Sequence, residues 1–285
     1  MSPTTPIDVR TRLGTVGLVV ADLDRSVAFY EQVIGLRLLE RTDGRALLGV
    51  DGDALVELVE EPGAEPVDRS TGLFHLALLL PTRIDLAQWV QHAIDDRIQI
   101  DGASDHVVSE ALYLHDPDGH GIELYADRDR EIWTGKVQEL MTTLALDLPS
   151  LLAEVDSADP IPYPGLPLGT TMGHVHLKVA DLPATIAWYR DLVGFALMAT
   201  YGPQAAFLAA GGYHHHIGAN TWLSGGASQS GPGTARLDRI TIVLPTAIEL
   251  ERVRAQVRAG GAEPLALDGA WQTLDPSGVA VHLTT

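Results

Sequence analysis

The sequence has no cysteine among its 285 residues, which excludes disulfides, thiolate metal sites and a cysteine nucleophile. That absence fits a reducing cytoplasm, the expected location. Basic side chains are scarce: 19 Lys and Arg stand against 38 Asp and Glu, a net charge of −19. A nucleic-acid binder needs clustered cations against phosphate, and an anionic membrane surface asks for the same, so neither partner is expected. No apolar run approaches the length of a membrane span, and Met1 to Arg12 lack the apolar centre of a signal segment. Apolar residues are plentiful. At 46% hydrophobic and 20% charged, the chain is globular with a sizeable core, and its length suits two domains.

The most informative feature is internal repetition. Val20-Ala21-Asp22-Leu23 returns as Val179-Ala180-Asp181-Leu182, and Ala28, Tyr30 and Gly35 return as Ala187, Tyr189 and Gly194. Asp116-Pro117 with Gly119 returns as Asp275-Pro276 with Gly278, at the same offset of 159 (20 to 179, 116 to 275). Each half divides again. Short apolar strands begin at Val16, His75, His174 and Ile240, and each leads through an Asp or Pro turn into a stretch of helical length. The fold class is α+β: four βαβββ modules, 13–61, 72–125, 171–223 and 237–284, forming two paired-module domains with curved, barrel-like mixed sheets. The N-terminal domain is 1–130 and the C-terminal domain 169–285. Between them, 131–168 holds a helical segment, Glu131 to Leu152, and a stiff Pro-rich linker from Asp159 to Pro167.

Strand alternation selects the positions that could hold chemistry. Val175, Leu177 and Val179 suit the helix-covered face, which turns His174, His176 and Lys178 into the concavity. In the second module Leu76, Leu78 and Leu80 face the helix, and His75, Ala77 and Leu79 the concave side. The equivalents of His174 are Thr15, His75 and Arg239. On the last strands Glu123 corresponds to Glu57 and His282, and the third module has the run His214-His215-His216, read as a strand. Joining modules two and three collects His75, His174 and Glu123. Joining one and four collects Thr15, Glu57, Arg239 and His282, a poor metal site. A lone strand histidine is most often a hydrogen-bonded core residue. Here three ligand types fall at equivalent places in only two modules, and that coincidence favours ligation. Two imidazoles and one carboxylate form the ligand set of non-haem Fe(II) oxygenases; Mn(II), zinc or another divalent metal also suits these donors.

These residues resemble the vicinal oxygen chelate superfamily: the repeated Val-Ala-Asp-Leu entry, the Asp-Pro-Asp-Gly turn before Ile122-Glu123-Leu124, and Met172-Gly173-His174-Val175-His176-Leu177. Four modules in one chain and the stretch Tyr213 to Trp222 are similar to its catechol 2,3-dioxygenase branch of type I extradiol enzymes. The resemblance covers nearly the whole chain. It implies Fe(II) held by His75, His174 and Glu123, with a small aromatic diol and O2 as partners. It implies an acid/base histidine, His215 by the family's pattern or His216 by a gapless offset from Glu57. It also implies a tyrosine ten residues before the ligand Glu, Tyr113, and a substrate-contacting histidine that matches His106. His176, His214 and His216 are expected to line the substrate pocket.

The best-known extradiol enzymes draw their ligands from the last two modules. This chain instead needs modules two and three in one barrel, because pairing one with two would separate the ligands. A homo-oligomer is the expected assembly. The rival activities on the same scaffold are a glyoxalase-type isomerase or lyase and a metal-free, drug-sequestering binding protein.

Overall fold

The structure is a computed structural model that describes residues 5–67, 69–155 and 163–285. Four modules follow one another. The first comprises β1 (Val16–Val20), α1 (Leu23–Phe29), β2 (Arg37–Thr42), β3 (Arg45–Val50) and β4 (Asp53–Glu60). The second comprises β5 (Gly72–Leu80), α2 (Arg83–Asp95), β6 (Gly102–Asp105), β7 (Ser109–His115) and β8 (Gly121–Asp127). The third comprises β9 (Thr171–Lys178), α3 (Leu182–Ala187), β10 (Ala196–Tyr201), β11 (Ala205–Ala209) and β12 (Ile217–Asn220). The fourth comprises β13 (Arg236–Val243), α4 (Ala247–Ala259), β14 (Leu265–Leu267), β15 (Ala270–Leu274) and β16 (Ala280–Thr284). The expected βαβββ unit is present four times.

The repeated motifs are joints. Asp22 and Asp181 are helix N-caps whose carboxylates accept the backbone N–H of Arg25 and Ala184, and Thr82 and Thr246 cap the other two helices. Helices α1 and α3 widen into π turns, Tyr30–Ile34 and Trp188–Val193, which stop at left-handed Gly35 and Gly194. In each Asp-Pro turn the Asp gathers two backbone N–H groups, those of Asp118 and His120 on Asp116, and those of Ser277 and Val279 on Asp275. The second oxygen then takes a tyrosine hydroxyl from the preceding module, Tyr30 to Asp116 at 3.2 Å and Tyr189 to Asp275 at 3.3 Å. These pairs lock module one to two and three to four.

The sheets join modules differently. One runs β14-β15-β16-β13-β1-β4-β3-β2 and the other β6-β7-β8-β5-β9-β12-β11-β10, each extended by a two-residue strand, Arg12–Leu13 or Leu144–Ala145. Each sheet thus takes one module from each half of the chain: one with four, two with three. The boundary at 131–168 therefore separates the repeated halves but not the sheets. Within each module the first and last strands are parallel; between modules the first strands meet antiparallel. Leu76, Leu78, Leu80, Val175, Leu177 and Val179 pack into the helix-side core as alternation demands, which leaves His75 and His174 for the concave face.

Two expectations change. Glu131 to Leu152 is not one helix but three short ones, Arg130–Trp133, Val137–Leu140 and Leu148–Leu152. Gly135 at φ 74° breaks the first run, and Asp147 caps a new start with Pro149 in its first turn. The triple-histidine run is not a strand, because Gly211 and Gly212 turn the chain at φ 60° and 67° and β12 begins only at Ile217. Part of the proposed stiff linker, 159–162, lies outside the described residues. Beyond it Tyr163 stacks on His92 and the Leu166 N–H reaches the Gly35 carbonyl. Among the described residues no helix is long and apolar enough to cross a membrane.

Candidate metal centre

The concave face of the sheet formed by modules two and three carries the site. β5 and β9 run side by side with His75 opposite His176 and Ala77 opposite His174, and Ala77 is also in register with Glu123 on β8. The small alanine at that crossing leaves room for three larger side chains around it. His75, Glu123 and His174 converge, with one ligand atom from each lying within 4.8 Å of the others. His75 Nε2 is 3.0 Å and His174 Nε2 3.2 Å from Glu123 Oε2. His75 Nε2 and His174 Nδ1 are buried with no hydrogen-bond partner. His174 Nε2 makes a hydrogen bond with Glu123, whereas His75 Nε2 faces the same oxygen without hydrogen-bond geometry, an arrangement that a divalent cation held by all three would satisfy.

Charge favours the same conclusion. Burial raises the Glu123 carboxyl, but His174 and His75 outweigh it and hold it well below the usual carboxylate range. Burial brings His174 down to about 4 against the pull of Glu123. A carboxylate and an imidazole without its second proton are the states that bind metal.

A cavity of about 390 Å³ opens over these three residues. His106, Tyr113, His176 and His215 line it together with Phe74, Phe207, Trp222 and Met141. Tyr113 lies opposite Glu123 on β7. Burial and the Glu123 charge push its hydroxyl well above the ordinary value, so it remains a donor. His106 bridges the Thr142 carbonyl through Nδ1 and the Tyr113 hydroxyl through Nε2, both at 2.7 Å. Because a carbonyl only accepts, neutral His106 carries its proton on Nδ1, and Tyr113 donates to Nε2. His176 is buried among Phe74, Phe207 and Trp222, and its Nε2 has no partner.

The histidine run departs from the alternating pattern. His215 packs on His174 with ring centroids 4.1 Å apart and reaches the cavity. His214 is fully buried behind it, and His216 turns back to accept the Ala210 N–H on Nδ1. Neither His214 nor His216 lines the cavity, because the run precedes its strand and does not follow strand geometry. Alternation does not reveal the Phe74 part of the aromatic wall for a related reason. Phe74 falls where the β5–β9 register shifts between His176 and Leu177, so a bulge brings it to the same side as His75.

The profile of the glyoxalase/bleomycin resistance protein/dioxygenase superfamily matches residues 12–124 and 171–282. The chain belongs to that superfamily. Within it, the chain is 41% identical over 278 residues to catechol-2,3-dioxygenase of Bacillus subtilis (strain 168), covering 95% of this chain and 96% of that protein. It is 27% identical over 121 residues to lactoylglutathione lyase of Salmonella typhimurium (strain LT2), covering 39% of this chain and 90% of the relative. The crystal structure of glyoxalase I from Zea mays superposes with a TM-score of 0.60 at 21% identity, covering 96% of this chain and 92% of that one. That likeness shows the superfamily's fold of curved module pairs.

Proposed function

We propose that this superfamily member is an Fe(II)-dependent extradiol dioxygenase that opens a catechol or hydroquinone-like phenol beside its hydroxyls, using O2. The observation that carries the reading is the buried convergence of His75, Glu123 and His174 under an aromatic-walled cavity. The end-to-end similarity to catechol-2,3-dioxygenase supports it. Bound to these three residues, Fe(II) would supply open positions for two substrate oxygens and for O2 and would favour loss of a phenolic proton.

The chain's own residues supply the rest. His215 is the base that takes the phenolic proton and later returns it. Tyr113 swings its single hydroxyl proton from His106 Nε2, 2.7 Å away, to charge developing on a substrate oxygen. Phe74, Phe207 and Trp222 sandwich the ring and keep water out, and His176 lines the same wall. Among the described residues no lysine or arginine lines the cavity, which favours a ring without a carboxylate of its own.

The test is anaerobic loading with Fe(II), then air and a panel of catechols. Yellow ring-opened product with one O2 consumed per substrate is expected. Product formation under nitrogen would move the assignment to the isomerase chemistry of the lyase relatives.

A further inference from the structure

Strand β8 presents three side chains in alternation, Glu123, Tyr125 and Asp127. Glu123 belongs to the metal centre, and Tyr125 meets the Tyr213 hydroxyl at 2.8 Å. Asp127 Oδ1 lies 3.0 Å from His214 Nε2 and accepts the Tyr213 hydroxyl at 3.2 Å. His214 Nδ1 in turn lies 2.8 Å from His215 Nδ1. His214 is fully buried, and Tyr213, Trp133 and Tyr125 enclose its ring.

The donor inventory fixes the direction of this chain. A carboxylate accepts, so His214 carries its proton on Nε2. With one proton on each ring, His214 offers a lone pair on Nδ1 and His215 donates from its own Nδ1. The nitrogen that His215 leaves for the cavity is Nε2, unprotonated. We propose that Asp127 and His214 are positioning residues that set the tautomer of His215, so that it meets substrate as a base with Nε2 free. Asp127 reaches substrate only through two imidazoles, which explains a carboxylate placed behind a buried histidine.

The inference rests on His215 as the base, but its test reads the tautomer directly. Full-length chain with 15N-labelled histidine is loaded with diamagnetic Zn(II), and long-range 1H–15N spectra assign each ring nitrogen. His215 should show an unprotonated Nε2 and a protonated Nδ1. In Asp127→Asn the amide can donate to His214 Nε2, which reverses the chain and moves the His215 proton to Nε2. With Fe(II), kcat should then fall about a hundredfold or more, with KM and bound iron unchanged, and Asp127→Glu should restore part of it. Near-ultraviolet circular dichroism confirms that each variant is folded. A wild-type His215 protonated on Nε2, or a tautomer unmoved in Asp127→Asn, overturns the proposal. If the tautomer reverses but no ring cleavage occurs in wild type, the relay stands and the oxygenase reading fails.

Discussion

The two sheets share one topology and differ in what their concave faces hold. In the sheet of modules two and three, two imidazoles and a carboxylate converge with nitrogens left unpartnered. In the sheet of modules one and four, each corresponding corner has a protein partner. Arg239 pairs with Glu57, which also takes Arg45 Nη1 at 3.0 Å. Thr15 donates to the Ala54 carbonyl at 2.9 Å, and His282 Nε2 meets Gln272 Oε1 at 2.9 Å. A buried carboxylate needs a positive partner. One sheet supplies it as a guanidinium; in the other the proposed divalent cation would fill that role. The backbone does not distinguish the sheets; a few side chains do.

Exchanging the roles of the two carboxylates gives the largest effect. Glu123→Ala should lose bound iron, measured by elemental analysis after gel filtration, and drop ring cleavage to background while the protein still folds. Glu57→Ala should retain iron and activity but lose about 1 kcal/mol of stability in urea unfolding, because partly buried Arg239 loses Glu57 and keeps only Asp238, 2.9 Å from its Nη1. Retained iron in the first variant, or lost iron in the second, would remove the distinction drawn between the sheets.

A smaller contrast lies one residue before the ligand position. A Cβ at Gly173 would sit 1.9 Å from Tyr125 Oη and 2.9 Å from Leu79 Cβ, whereas at the equivalent Gly14 the nearest atom is Val243 Cγ2 at 2.9 Å. Tyr125 is fully buried and fixed by Tyr213, so it has nowhere to go; a valine methyl on a strand can turn aside. Gly173→Ala should cost about 2 kcal/mol and Gly14→Ala less than half of that. Equal melting-temperature shifts in the two variants would contradict the argument.

How much of this was legible beforehand follows from range. The repeated Val-Ala-Asp-Leu strand-to-helix entries, the module count and the facing of His75 and His174 all follow from local period and repetition, and the structure has them at those places; that Asp22 and Asp181 cap the helices is added by the structure. The module pairing was legible only through chemistry, since pairing one with two would have separated the ligands. Three features depend on partners distant in sequence or on broken regularity. Phe74 enters the cavity at a bulge that no alternation pattern shows. His215 reaches the cavity with His214 packed behind it because the run before Ile217 is irregular. Asp127 had a signal, the two-residue step from Glu123 through Tyr125, but its meaning needed His214 at 3.0 Å from a module 87 positions away.

The smallest expected effects test where the sheets should agree. The Tyr30–Asp116 and Tyr189–Asp275 locks are near copies, so Tyr30→Phe and Tyr189→Phe should each cost about 1 kcal/mol at pH 7.5. Their pH dependence carries more information than their size. Burial raises Asp275 from its ordinary 3.8 to about 6, and it raises Asp116 as well. A carboxyl whose folded pKa is raised binds more protons folded than unfolded, so its contribution to stability declines as pH rises from about 4 to about 6. The tyrosine O–H favours the ionised form and so opposes that decline. Removing it should therefore matter little near pH 4, where Asp275 is protonated, and fully above pH 6. Urea unfolding at the two pH values should show the Tyr189→Phe deficit growing with pH, and Tyr30→Phe following the same direction. A deficit equal at both pH values would mean that these hydroxyls do not hold the carboxylates in their charged form, and that the repeated Tyr and Asp lock the modules by packing alone.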